Sequence, residues 1–358
     1  MTPSLHTLPI ELVYRILDNL DEKTIFLSCE NVCTRLNDIT DTYHRYQVIL
    51  VKEFSILNSI STVFTTLNLQ YNEIGPERAQ YLANALQQNK TLITLNLSSN
   101  QIGSEGAQHL ANALQKNKTL TTLNLWYNRI GSEGAQKLGN ALQQNKTLTT
   151  LNVSSNQIGS EGAQYLANAL KQNRTLTTLN LWDNRIGPEG AQYLANALQQ
   201  NETLVTLNLS SNRIGDQGAQ YLASALQKNK ALTTLDLLSN EIGPEGAQHL
   251  GNALQQNRTL TTLDVSSNNI GPEGVQYLAN ALQENKVIRF SSVGFSFNYS
   301  FIIFHRRSPD FCSKIIKWML MMIIIVFEWA PNLLILSLSF SVYTYMHAYI
   351  SNAILILC

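Results

Sequence analysis

The 358-residue sequence is poor in charge and in cysteine, and each shortage excludes a class of protein. Charged residues make up 14% of the chain, and 25 basic residues balance 25 acidic ones. Nucleic-acid binding usually requires a basic stripe, so no nucleic-acid partner is expected. The four cysteines are too few and too unsuitably spaced for a disulfide framework. The first residues lack the basic and apolar profile of a secretory signal, so we expect a reducing, cytoplasmic setting.

Motifs for catalysis and for cofactors are also missing from the sequence. There is no phosphate-binding loop of the G-x-x-x-x-G-K-[ST] type. Cys29 and Cys33 are four residues apart, but no second pair of metal ligands follows them. A carboxylate such as that of Glu105 occurs once in each repeat, at a helix start, and not as an acid–base pair. We therefore expect no enzyme, no cofactor and no metal site.

What the sequence does contain is one 28-residue unit written eight times over residues 64–287. Its fixed anchor is an asparagine at constant intervals: Asn72, Asn100, Asn128, Asn156, Asn184, Asn212, Asn240 and Asn268. A short strand-like run precedes each asparagine, and Ile-Gly and a helical run follow it. A period of this length indicates stacked repeats. The Asn-Lys-Thr triplets at Asn89, Asn117 and Asn145 are accordingly interpreted as turns of the repeat and not as glycosylation sites.

The chemistry of the second unit predicts its local structure. Alternation along the strand predicts that three leucines point inward, Leu92, Leu95 and Leu97, and that three polar residues point to the other face, Thr94, Asn96 and Ser98. Asn100 is expected to bond the backbone of its own and the neighbouring turn. Gly103 relieves the corner, and Ser104 is expected to cap the helix. Small and apolar residues at helical spacing are expected to face the strand: Ala107, Leu110, Ala113 and Leu114.

The phrase LNLSSNQIGSEGAQHLANAL, residues 95–114, resembles the leucine-rich repeat of the ribonuclease-inhibitor type. The resemblance implies an α/β horseshoe solenoid with a parallel sheet inside and helices outside. It does not imply one function, because this scaffold hosts inhibitors, immune sensors and GTPase activators. A Ran-type GTPase activator is a minor alternative, since those proteins carry an acidic tail after the repeats and the tail here is hydrophobic.

Residues 1–46 have no repeat periodicity and are similar to the F-box. The similarity rests on Leu8, Pro9, Glu11, Leu12, Ile16, Leu20, Val32 and Cys33. It implies docking onto the Skp-type adaptor of a cullin ubiquitin ligase, with the repeats selecting a protein substrate. The interval from Leu20 to Val32 is one residue longer than the corresponding interval in that motif, and Leu36 stands where an aromatic residue is usual. The alternatives are a helical cap of the repeats and an interaction scaffold or sensor with no ligase link.

One group of residues interrupts the uniform repeats and is a candidate partner-binding surface on the concave side. Its members are Trp126, Tyr127, Arg129, Trp182, Asp183 and Arg185, and we call them the aromatic loop patch. Tryptophan, tyrosine and arginine are enriched among binding hot spots. The alternative is that the two tryptophans only cover the edge of the sheet after a duplication of a two-repeat unit.

The segments on either side of the repeats carry separate predictions. Residues 47–63 are a junction that could supply a first capping strand, because a terminal repeat leaves one apolar face bare. In the tail, residues 288–358, Ile288 fits an inward position of one further strand. Residues 315–358 are intensely apolar and predict a membrane anchor, with the repeats on the cytosolic side. The competing interpretation is translated intron or shifted-frame sequence.

Overall fold

The computed structural model describes residues 65–285 and 287–290. The F-box-like module, the junction and nearly all of the hydrophobic tail lie outside this range, so the predictions made for them stay predictions. Along the described residues, no helix combines the length and the apolar character that crossing a bilayer requires.

Strands and helices alternate strictly along the described chain, and we number the repeats as units 1 to 8. The strands are β1 Thr66–Asn68, β2 Thr94–Asn96, β3 Thr122–Asn124, β4 Thr150–Asn152, β5 Thr178–Asn180, β6 Thr206–Asn208, β7 Thr234–Asp236, β8 Thr262–Asp264 and β9 Arg289–Phe290. The helices are α1 Gly75–Gln88, α2 Gly103–Lys116, α3 Gly131–Gln144, α4 Gly159–Gln172, α5 Gly187–Leu198, α6 Gly215–Leu226, α7 Pro244–Gln256 and α8 Gly271–Glu284.

The strands form one open parallel sheet whose spatial order equals the chain order, β1 to β9. From β1 to β8 each residue pairs with the residue 28 positions later, as Thr94 does with Thr122. Between β8 and β9 the sequence separation of paired residues is one residue shorter, because Thr262 pairs with Arg289. The predicted α/β leucine-rich-repeat solenoid is confirmed, and a ninth strand follows the buried Ile288.

The core lies between the sheet and the helices. Leu92, Leu95 and Leu97 are buried, as the alternation predicts. The helical residues expected to face them are buried as well: Ala107, Leu110, Ala113 and Leu114. Each fully buried leucine contributes about 1.5–3 kcal/mol of transfer free energy. Because the set recurs in every unit, one continuous core runs through the array.

Adjacent helices pack closely because a glycine faces an alanine at each contact. A Cβ added at Gly106 in α2 would lie 3.1 Å from the Cβ of Ala79 in α1 and 2.5 Å from Ile102 Cγ2. The same arrangement recurs at the equivalent glycines of the later units. Unit 1 carries Arg78 at this position, and its side chain is exposed. Close packing between units therefore requires glycine at this position only in a helix that packs against a preceding helix.

One prediction for the second unit is wrong. Ser104 does not cap α2, because the helix begins at Gly103 and no side chain bonds its first amides. Asn128 of the next unit lies at this end of α2, and its carbonyl oxygen accepts a bond from the Gly103 amide at 2.9 Å. Ser98 is only 2% exposed, and its Oγ donates to Asn96 Oδ1, in agreement with the predicted alternation that puts both residues on one face of the strand. Its equivalents in the neighbouring units are the larger Gln70 and Trp126, which leave a small hydroxyl covered.

Candidate functional site

A ladder of buried asparagines holds the loops that follow the strands. The Asn128 side chain donates from Nδ2 to the carbonyl oxygens of Leu97 at 2.8 Å and Leu125 at 3.0 Å. Its Oδ1 accepts from the amides of Asn100 at 3.0 Å and Ile102 at 3.3 Å. One amide group thus satisfies the backbone of two units at once. The predicted role of the repeated asparagine is confirmed.

A second asparagine ladder, which the sequence reasoning did not find, holds the turns that precede the strands. Asn145 donates from Nδ2 to the Leu114 carbonyl oxygen at 2.7 Å, and its Oδ1 accepts from the amides of Thr147 and Leu148. Asn117 and Asn145 are both buried. Their interpretation as repeat turns is therefore confirmed. The signal for the ladder was present in the sequence as a second asparagine at 28-residue intervals.

The loops that carry the aromatic loop patch are rigid. Tyr127 and Arg129 have φ angles of 56° and 57°, in the left-handed region that costs about 1–2 kcal/mol for residues other than glycine. Backbone bonds to both neighbouring units hold this shape: the Tyr127 amide donates to the Ser154 carbonyl oxygen at 3.0 Å, and the Ser99 amide donates to that of Trp126 at 2.8 Å. The side chains of the patch are thus presented from a fixed backbone.

In unit 3 the two aromatic side chains of the patch lie against each other. The ring centroids of Trp126 and Tyr127 are 6.0 Å apart, and the rings are tilted by 48°. Trp126 is half-buried, and its Nε1 is a buried donor without a hydrogen-bond partner. Tyr127 is 57% exposed and Arg129 is exposed. Unit 3 therefore presents an aromatic pair beside a free guanidinium group.

In unit 5 the members of the patch contact the neighbouring units. Trp182 is exposed, and its Nε1 donates to Ser211 Oγ of unit 6 at 3.3 Å. Asp183 accepts at Oδ2 from Ser155 Oγ of unit 4 at 3.1 Å, and Arg185 is exposed. Unit 4 separates this group from the group in unit 3. It carries Ser154 and Ser155 at the positions of the tryptophan and its neighbour.

The structure adds one residue to the predicted patch and explains the serine–tryptophan alternation. Arg213 in unit 6 occupies the position of Arg129 and Arg185, is exposed, and shares their backbone with a φ of 56°. The equivalents of Trp126 alternate between large and small: Gln70, Ser98, Trp126, Ser154, Trp182, Ser210, Leu238 and Ser266. All four serines are buried. Each buried serine therefore has a larger residue at the same position of the preceding unit.

Residues 65–285 contain no group of three or more histidine, cysteine, aspartate or glutamate side chains that could hold a metal ion. The eight F-box-like candidates, Leu8 to Cys33, lie outside the described residues. The arrangement that remains is a row of rigid loops with aromatic and charged side chains on them, which suits contact with another macromolecule.

A family model and three solved structures resemble the chain. The model described as "Leucine Rich repeat" matches eight segments that together exceed half of the sequence: 61–83, 88–111, 116–139, 144–167, 172–195, 200–223, 228–251 and 256–279. No curated protein matched the sequence.

The three structures differ in how much of the chain they match. The leucine-rich repeat-containing protein LegL7 from Legionella pneumophila is 23% identical with a TM-score of 0.46, over 68% of this chain and 78% of that one. The tropomodulin C-terminal domain from Caenorhabditis elegans is 16% identical with a TM-score of 0.37, over 42% and 93%. The leiomodin-1 actin-binding site 2 structure is 23% identical with a TM-score of 0.31, over 44% and 78%.

Proposed function

This chain belongs to the leucine-rich repeat family, and on that premise we propose that its repeats bind a protein partner through the strand-to-helix loops of units 3 to 6. The observation that supports this proposal is where the units differ. Threonine and asparagine or aspartate recur at the first and last positions of every strand from β1 to β8, where they are mostly half-buried, so those positions offer every partner the same chemistry. The aromatic loop patch and Arg213 interrupt that uniformity. A surface that selects one protein needs such local differences.

The geometry of the patch suits a binding hot spot. Its loops are fixed by backbone bonds to both neighbouring units, so little conformational entropy is lost when a partner binds. Tyr127 and Trp182 expose large aromatic surfaces, and three arginines from units 3, 5 and 6 stand beside them. Aromatic residues and arginine carry most of the energy in typical protein interfaces. A partner that combines an apolar side chain with carboxylates matches this surface.

The test compares two tyrosines at equivalent positions. Tyr127 and Tyr71 are 57% and 58% exposed and occupy the same position in units 3 and 1. Serine stands at that position in five of the eight units, so both Tyr127→Ser and Tyr71→Ser should fold normally. Partners recovered with the full chain should bind the Tyr127→Ser, Trp182→Ser double variant at least about 30-fold more weakly, the scale of losing hot-spot aromatics.

The control variant Tyr71→Ser should bind every recovered partner within about twofold of the parent chain, because exposed residues outside a hot spot contribute little. Titration calorimetry with each purified partner measures both variants. Equal affinities of the double variant and the control for all partners would refute the assignment of the patch.

A more specific role rests on residues 1–46. We propose that this segment links the repeats to a Skp-type adaptor in the cytoplasm, so that the protein bound by the repeats becomes a substrate of a cullin ubiquitin ligase. The support is the order of residues from Leu8 to Cys33, which is similar to the F-box. Replacing Leu8 and Pro9 with alanine should abolish co-purification of the adaptor and leave binding at the patch unchanged. Absence of the adaptor from gentle purifications of the parent chain would refute the ligase link alone.

A further inference from the structure

Most acidic and basic residues of the helices and of the turns after them are separated in space by sign. Acidic residues occupy the first helical turns, one in each unit: Glu77, Glu105, Glu133, Glu161, Glu189, Asp216, Glu245 and Glu273. Basic residues occupy the last helical turns and the turns into the next strand: Lys90, Lys116, Lys118, Lys146, Lys171, Arg174, Lys228, Lys230 and Arg258. We call the second set the basic edge. Because the units stack in register, the two sets lie at opposite ends of the helices.

The helix dipole explains the sign of each charge but not the accessibility of the cations. Cations stabilise a helix C-terminus, where carbonyl groups lack partners. Arg174 and Arg258 act in this way, since each donates to a carbonyl oxygen of the preceding helix. Lys90, Lys118, Lys146 and Lys230 are exposed and make no hydrogen bond or ion pair within the described residues. These four ammonium groups are available to an external anion.

The basic edge is interrupted at few points. In the turns of successive units the charged residue is Lys90, Lys118, Lys146, Arg174, Glu202, Lys230 and Arg258. Within the described part of these turns and of the last helical turns, the acidic side chains are Glu202 and Glu284. No carboxylate pairs with any of the nine cations in that same part of the chain. The edge therefore presents a row of basic side chains that Glu202 interrupts.

The rest of the chemistry on this edge distinguishes a membrane surface from a nucleic acid. Single-stranded nucleic acids are bound by cations interleaved with aromatic side chains on which bases stack. The described turns of the basic edge contain no aromatic residue. Two of these turns are instead followed by an exposed aliphatic side chain, Ile93 at 44% and Val205 at 38%, at a position where the other units carry threonine. Basic residues next to aliphatic side chains are typical of surfaces that lie on anionic bilayers.

We propose that the basic edge docks the repeats onto an anionic membrane surface, with the helix C-terminal turns facing the lipid headgroups. This function is separate from the proposed protein-binding patch, whose residues lie in the loops at the other end of the strands. The predicted membrane anchor in residues 315–358 would hold the chain beside such a surface, and docking would then orient the patch away from the bilayer. The edge responds to the negative charge of the surface and recognises no particular headgroup.

The experiment uses the full chain and reads individual lysines, so that insertion of the hydrophobic tail cannot imitate docking. An amine-reactive reagent labels the protein in the presence of phosphatidylcholine vesicles with or without 30% phosphatidylserine, and mass spectrometry measures each labelling rate. Lys90, Lys118, Lys146 and Lys230 should react about tenfold more slowly on the anionic vesicles when about nine-tenths of the protein is docked. Lys137, on the outer side of α3, is the internal control and should react at equal rates on both vesicles.

Two pairs of charge reversals test the edge directly. The first double variant combines Lys118→Glu with Lys146→Glu, and the second combines Arg129→Glu with Arg185→Glu. Both change the net charge equally, but they do so at opposite ends of the strands. Each cation near an anionic surface is worth about fivefold in affinity. We therefore measure the lipid concentration at which the labelling of Lys90 falls to half. The lysine double variant should raise this concentration by at least about 25-fold, and the arginine double variant should raise it by less than about twofold. Glu202→Lys fills the gap in the row and should lower that concentration at least about fivefold.

Three results would overturn the proposal. Equal labelling of the four lysines on neutral and anionic vesicles would show that the edge does not touch lipid. Equal effects of the lysine and arginine pairs would show that net charge and not the edge determines binding. Stronger protection by a 30-nucleotide single strand than by vesicles, at equal concentrations of negative charge, would assign the edge to nucleic acid.

Discussion

At the scale of single residues, the asparagine side chains do most to define the fold. Asn156 is fully buried and makes four side-chain bonds: Nδ2 donates to the carbonyl oxygens of Leu125 and Ser154, and Oδ1 accepts from the amides of Asn128 and Ile130. A buried backbone group without a partner costs about 1–3 kcal/mol. No other short side chain offers two donors and an acceptor in one plane. The invariance of this position across the units has that cause.

Replacing Asn156 with leucine should lower the free energy of unfolding by at least about 1–3 kcal/mol, because the buried amides of Asn128 and Ile130 lose their acceptor. Urea denaturation followed by circular dichroism measures the loss. Asn140 is exposed on α3 and makes no side-chain bond among the described residues, so Asn140→Leu should stay within about 0.5 kcal/mol of the parent. Equal stability of the two variants would show that the ladder does not stabilise the array.

At the scale of elements, the helices begin in two different ways. Most start at a glycine in the left-handed region, and no side chain caps them, as α2 shows. The exception is α7, which starts at Pro244 after an extended Gly243. There Asp216, from the start of α6, accepts from the amides of Gly243 at 2.7 Å and Gly246 at 2.8 Å. One unit thus caps the helix of the next through a carboxylate.

Replacing Asp216 with alanine should therefore destabilise the protein by about 1–2 kcal/mol, the range for losing a helix cap. Ser104 occupies the same position in unit 2 and makes no hydrogen bond through its side chain among the described residues. Ser104→Ala should consequently change the free energy of unfolding by less than about 0.5 kcal/mol. Chemical denaturation of both variants measures the difference. A larger loss for Ser104→Ala than for Asp216→Ala would contradict the assignment of the caps.

At the scale of the whole array, the two terminal units depart from the packing rule that the internal units obey. Inside the array an alanine of one helix meets a glycine of the next, as Ala163 meets Gly190 with 3.2 Å between the Cβ of the alanine and the Cβ position of the glycine. Unit 1 carries the exposed Arg78 in place of that glycine. Unit 8 carries the half-buried Val275 in place of that alanine. Both larger residues lie on the terminal helices of the described stack.

Substitution at the position of Ala163 and Val275 should therefore change the stability differently in the middle and at the end of the array. Ala163→Val places two methyl groups against α5 and should cost about 1–3 kcal/mol, the usual range for overpacking a core. Val275→Ala should cost less than about 1.5 kcal/mol, because α8 has no following helix among the described residues. Thermal and urea unfolding of the two variants check the order. A smaller loss for Ala163→Val would mean that the helices can separate without cost.

The sequence by itself determined the repeat, the class of fold and the inward face of each element, because these depend on residues within a few positions of one another. The alternation in Leu92 to Leu97 and the spacing of Ala107 to Leu114 define buried faces before any neighbour is considered. It also located the aromatic loop patch as a departure from the period. Whether that patch binds a partner stays a prediction, as do the roles of residues 1–46 and of the tail.

The tertiary structure decided what depends on residues one unit away. Ser98 is buried between units whose equivalent residues are the larger Gln70 and Trp126, and the start of α2 lies against Asn128 of the next unit. The second ladder through Asn145 and the separation of charge into two edges likewise exist only once the units are stacked. A periodic sequence specifies one unit well. Contacts between units join residues about one period apart, and their geometry is absent from the local pattern.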